Sequence, residues 1–146
     1  MFGFFKPKTR KAVEKWEHDH EKIVELATNI IASWNKNEIK KTKHHLKELN
    51  KYAIDHLMDE DLELFHFKRG DYKVHLDEDT KQKIEEFLTS FKSTKMALME
   101  FLRKYNKEDA ELDDEFMKQF MELVEVLKKR IEFEESTLYK ALRATK

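Results

Sequence analysis

Very little in this chain can stop a helix. It contains 2 Gly and 1 Pro among 146 residues, and these are the residues that break helices and supply the tight turns of strand-rich folds. Gly3 and Pro7 lie near the start, so Gly70 is the one strong breaker in the interior. Around it, apolar residues recur three and four apart, the spacing of one face of a helix. The spacing predicts a first helix over about 9–34, with Trp16, Ile23, Ala27, Ile30, Ile31 and Trp34 on its inner face. A second runs over about 38–67, with Leu46, Leu49, Ala53, Leu64 and Phe67. "NKNE" at 35–38 separates the two, and Asn37 is the expected cap of the second. "KRGD" at 68–71 ends that helix at Gly70. A third helix is predicted over about 77–105, carrying Ile84, Phe87, Leu88, Phe91, Leu98, Phe101 and Leu102. The fourth follows the polar stretch 106–114, is capped by Asp113, and carries Met117, Phe120, Met121, Val124, Leu127, Ile131, Leu138 and Leu142.

Four amphipathic helices of similar length with short links predict an all-α fold, an antiparallel up-down-up-down four-helix bundle. One domain is expected, over about 12–143, preceded by an aromatic and basic segment, 1–11. That segment, "MFGFFKPKTRK", lacks the apolar run and small-residue site of a signal peptide, and Phe at position 2 rules out myristoylation. It is read as a terminal cap on one end of the bundle, with a weak membrane or partner anchor as the alternative. The formal net charge is -1, so no overall field points to nucleic acid. No apolar run reaches membrane-spanning length. The absence of Cys excludes disulfides and thiolate metal sites and suits a cytoplasmic setting.

The inner faces carry ionisable residues where leucines are expected. On the second helix the stripe passes from Ala53 through His56 and Glu60 to Leu64. These two are one turn apart, about 6 Å along the axis, so their side chains can reach one point. On the first helix the stripe passes through Asp19 and His20, and on the fourth through Glu134 and Glu135, with Arg130 one turn earlier. In an antiparallel bundle these gaps meet at one end of the core. A buried, unpaired carboxylate costs several kcal/mol or changes its protonation. Two His and two Glu converging on one point resolve that cost when a metal lies between them, and the donor set suits iron, manganese or zinc.

The quoted text "HDH" at 18–20, "HLMDE" at 56–60 and "RIEFEESTLY" at 130–139 resembles the hemerythrin family, including its bacterial cation-binding domains. The resemblance covers nearly the whole chain. It implies a non-haem iron protein that binds one ion, or two as a di-iron centre, and serves dioxygen binding, oxygen or redox sensing, or iron handling. An enzyme is not expected, because nothing in the sequence supplies a substrate pocket and nucleophilic catalysis has no Cys and no convincing Ser arrangement. Carried over, His20 is the ligand from the first helix, His56 a terminal ligand, and Glu60 and Glu134 (or Glu135) bridging carboxylates. The sequence departs from the family in two places. Arg130 stands where the fourth helix should bring a His, and the third helix has no His on its stripe. His75 precedes that helix at a spacing the family uses for a ligand.

A metal-free reading explains the same residues. Arg130 can bridge Glu60 and Glu134 through its planar fork, with His20 and His56 bonded to the same carboxylates. The protein is then an interaction or regulatory module without a cofactor. Dioxygen or another small molecule is the expected partner on the first reading, a protein on the second. The remaining His residues, His18, His44, His45 and His66, are expected at the surface or its boundary.

Overall fold

The scarcity of helix breakers is matched in the computed structural model, which describes residues 7–145 and is all-helical, with no strand among those residues. The aromatic start, residues 1–6, lies outside the described residues, and with it the expectation that this segment caps the fold. The elements are α1 (Lys8–Asn35), α2 (Ile39–Arg69), α3 (Glu78–Ser90), α4 (Lys92–Tyr105) and α5 (Asp114–Phe133), then a five-residue π-helical segment (Glu134–Leu138) and a short α6 (Tyr139–Arg143).

Local chemistry explains the ends. Gly70 closes α2 at φ 79°, in the left-handed region that glycine enters without a Cβ clash. Asp77 and Asp113 cap α3 and α5, accepting from the backbone N–H of Thr80 at 2.7 Å and Phe116 at 2.9 Å. Asn37 does not cap α2. It takes φ 58° and turns the chain between α1 and α2, a conformation Asn tolerates better than most residues. Glu38 is left at the cap position without a side-chain cap bond.

α1 and α2 run antiparallel along their whole length. Ser33 meets Thr42 at 2.8 Å beside the turn, and Trp16 Nε1 donates to Asp59 at 3.0 Å near the far end. The expected third helix is two helices. The chain bends at Phe91, φ −106° and ψ 8°, inside the run Thr89, Ser90, Ser93, Thr94, residues whose side chains compete for backbone hydrogen bonds. The expected fourth helix is interrupted by the π-helical segment. Phe116 is buried where Met121, expected inside, is exposed.

Two apolar cores result. One contains Ile23, Leu26, Ile30, Leu49, Leu102 and Phe116; the other contains Val13, Trp16, Leu64, Phe67, Ile84 and Leu138. The inward polar residues do not sit at an open end of the core. Along α1, α2 and the fourth-helix region they lie between these two layers, with apolar side chains before and after them.

Candidate metal centre

His20 on α1, His56 and Glu60 on α2, and Glu134 at the start of the π-helical segment come together as their spacing predicts. All four are buried, with 0–4% of their surface exposed. One donor atom from each lies within 4.8 Å of every other. No other group of this kind occurs among the described residues.

Each imidazole is held from behind. Nδ1 of His56 pairs with Asp19 at 3.1 Å and Nδ1 of His20 with Glu135 at 3.2 Å. With a proton assigned to each Nδ1 by these contacts, both Nε2 atoms are left facing the carboxylates. His20 Nε2 lies 3.4 Å from Glu134 Oε2, and His56 Nε2 lies 3.6 Å from Glu60 Oε2. His56 Nε2 is fully buried and has no hydrogen-bond partner. Burial holds the His56 pKa below its ordinary value, only partly offset by Glu134 and Asp19 and reinforced by His20. Its Nε2 is therefore a bare lone pair in the interior. A carboxylate on the outer nitrogen and a free inner nitrogen is how proteins orient metal-binding histidines.

The carboxylates divide their oxygens between two neighbours. On one side, Arg130 donates through Nη2 to Glu60 Oε1 and through Nε to Glu134 Oε1, both at 3.2 Å. Its guanidinium lies over the ring of Phe87, 4.7 Å from the centroid, and 3.7 Å from Asp61. On the other side, Tyr139 Oη lies 2.5 Å from Glu60 Oε2 and 2.5 Å from Glu134 Oε2. One phenol proton cannot serve both contacts. Glu60 and Glu134 compete for it, and Glu60 is the less acidic of the two. Burial and then the adjacent Glu134 push its carboxyl well above the usual range, and the opposing effects of Arg130 and Tyr139 do not offset this. Burial acts the same way on Glu134, but hydrogen bonds to Glu60 and His20 and the charges of His20 and Arg130 outweigh it, so its carboxyl stays below the usual range. Burial and the two carboxylates push the phenol of Tyr139 far up. For His20, burial opposes protonation, but Glu134 and Glu135 together raise its pKa.

Tyr139 escapes a reading based on helical period. Five residues on from Glu134, an α-helix would place it about 140° round the axis. The π-helical turn is wider, and its i to i+5 bond runs from Tyr139 N–H to Glu134 O. That turn brings both side chains onto one face. Glu135, the alternative carboxylate, is not in the cluster: it is on the exposed side and holds His20. Asp19 likewise acts through His56. His75 is exposed and away from the cluster, and His18 and His44 are exposed. His66 is half-buried and pairs with Asp71 at 2.7 Å. Beside the two imidazoles and Glu134 is a void of about 20 Å³ walled by Ile23, Leu57 and Leu127, room for about one water-sized molecule.

The residues fit a divalent or trivalent cation. Two imidazole nitrogens and two carboxylate oxygens converge, the imidazoles are oriented from behind, and the buried Nε2 of His56 lacks any other partner. No helix among the described residues is long and apolar enough to cross a membrane. No protein-family model, curated protein or solved structure matches the chain.

Proposed function

We propose that the chain is a hemerythrin-like antiparallel up-down-up-down four-helix bundle that binds one iron ion in its core on His20, His56, Glu60 and Glu134. The observation that carries this reading is the buried, unpartnered Nε2 of His56, fixed by Asp19 and turned toward the carboxylates. A satisfied core histidine would have a partner on that nitrogen. Arg130 spends its charge on the Oε1 atoms, the side where a second ion of a di-iron pair would bridge the same two carboxylates, so one ion is the expected complement. Iron supplies redox chemistry toward dioxygen, and the adjoining void admits one water-sized ligand. Oxygen binding, oxygen or redox sensing, or iron handling is the function that follows, without an enzymatic turnover.

A second reading is favoured by the bonds of Arg130 and Tyr139. Arg130 answers both carboxylates through hydrogen bonds and charge without any metal, and the protein is then a regulatory or interaction module that has kept a polar core. Metal analysis separates the two. Protein purified without chelators, or loaded anaerobically with iron(II), should retain about one iron per chain after desalting, and His56→Ala should retain none. Retention of no iron by the parent chain overturns the metal reading in favour of the second.

A further inference from the structure

Tyr139 has no role in the expected ligand set, yet its Oη touches three of the four candidate ligands. It is 2.5 Å from Glu60 Oε2, 2.5 Å from Glu134 Oε2 and 3.4 Å from His20 Nε2. The side chain is fully buried and fixed on two sides. Its ring stacks on His20 with centroids 5.7 Å apart, and packs at a tilt against Trp16 at the same separation. Trp16 is itself tied to Asp59. The backbone leaves Tyr139 little room to turn away, because the π-helical turn that ends at it sets its direction. π-Helical turns inside α-helices recur at functional sites. Here the turn does one identifiable thing, which is to put a phenol oxygen beside two carboxylate oxygens and an imidazole nitrogen.

We infer that Tyr139 is a fifth metal donor, binding as the phenolate, and that the site is built for iron in the ferric state. This rests on the metal reading above. Hard oxygen donors favour the harder, more highly charged ion. Glu60, Glu134 and Tyr139 offer three oxygen donors, and His20 and His56 add two imidazole nitrogens. Binding as the phenolate releases the phenol proton, and the ion then takes the place of the hydrogen bonds between Tyr139 Oη and the two Oε2 atoms.

The test uses the full chain loaded with iron(II) under anaerobic conditions and then oxidised in air. The ferric protein should show a visible phenolate-to-iron charge-transfer band, with phenolate ring modes enhanced in its resonance Raman spectrum. Tyr139→Phe should retain iron and lose both signals, and its ferric-to-ferrous potential should rise. A parent protein that holds ferric iron without the band, or a Tyr139→Phe variant that keeps it, overturns this inference and leaves the metal site intact. Should Tyr139→Phe fail to fold, the Raman spectrum of the parent protein grown with ring-deuterated tyrosine decides the matter, since only an iron-bound phenolate has ring modes enhanced by the visible band, and those modes must shift with the label. A parent chain that binds no iron overturns both this inference and the reading beneath it.

Discussion

Arg130 and Glu60 are 70 residues apart in the chain, and Nη2 of one lies 3.2 Å from Oε1 of the other, both side chains buried. The same guanidinium holds Glu134 through Nε. A fixed cation thus occupies one side of two carboxylates whose other oxygens face two imidazoles and a phenol.

Removing that cation should be costly. Arg130→Met leaves Glu60 and Glu134 buried against each other without a permanent counter-charge. Breaking a buried ion pair by deleting one partner costs about 3–5 kcal/mol, so the metal-free variant should unfold at markedly lower urea concentration than the parent. Loading with iron should restore part of the loss, because the ion supplies the missing charge. An unchanged urea midpoint for the metal-free variant would show that Arg130 does not neutralise the pair.

Arg130→His tests what the arginine replaced. A neutral imidazole at this position points a nitrogen where the guanidinium now sits, between the Oε1 atoms. Iron content should rise from about one to about two per chain. Unchanged content would mean that position 130 does not correspond to a ligand position.

Asp19 never faces the proposed ion, yet it should matter to it. It orients His56 through Nδ1 at 3.1 Å, and loss of such an outer partner lowers metal affinity about 10–100-fold. Asp19→Ala should bind iron that much more weakly in competition with a chelator, with little change in the helical circular dichroism. Glu135→Ala, at a more exposed carboxylate, should have the smaller effect of the two.

The metal-free protein should have a defined pH window. Glu134 has a folded pKa below its unfolded value of about 4.3. Its contribution is present above that value and is lost as pH falls. His20 has a folded pKa above its unfolded value of about 6.5. Its contribution is complete below that value and is lost as pH rises through the folded pKa. Urea midpoints should therefore fall on both sides of a mildly acidic optimum. Glu134→Gln, which removes the charge that His20 answers to, should flatten both limbs.

Much of this was legible in the residues, and what was not has physical causes. His20, His56, Glu60 and Glu134 stand at positions where a 3.6-residue period demands apolar side chains, so their convergence follows from the pattern. Arg130 reaching both carboxylates followed from its place one turn before Glu134. Tyr139 did not follow, because a π-helical turn shifts the register by a fraction of a turn and leaves no compositional mark. The break at Phe91 left a trace in Thr89, Ser90, Ser93 and Thr94, which the strong apolar spacing on either side hid. Asp19 and Glu135 were placed beside the cluster by sequence. That each holds an imidazole from behind depends on side-chain direction, which spacing alone does not fix.

The most direct test of the central claim is anomalous scattering at the iron edge from crystals of the iron-loaded protein. One peak per chain is expected, about 2.0–2.2 Å from the donor atoms of His20, His56, Glu60 and Glu134, with Arg130 still bonded to the far oxygens of both carboxylates. No peak in that cluster, or two peaks with Arg130 displaced, would contradict that claim.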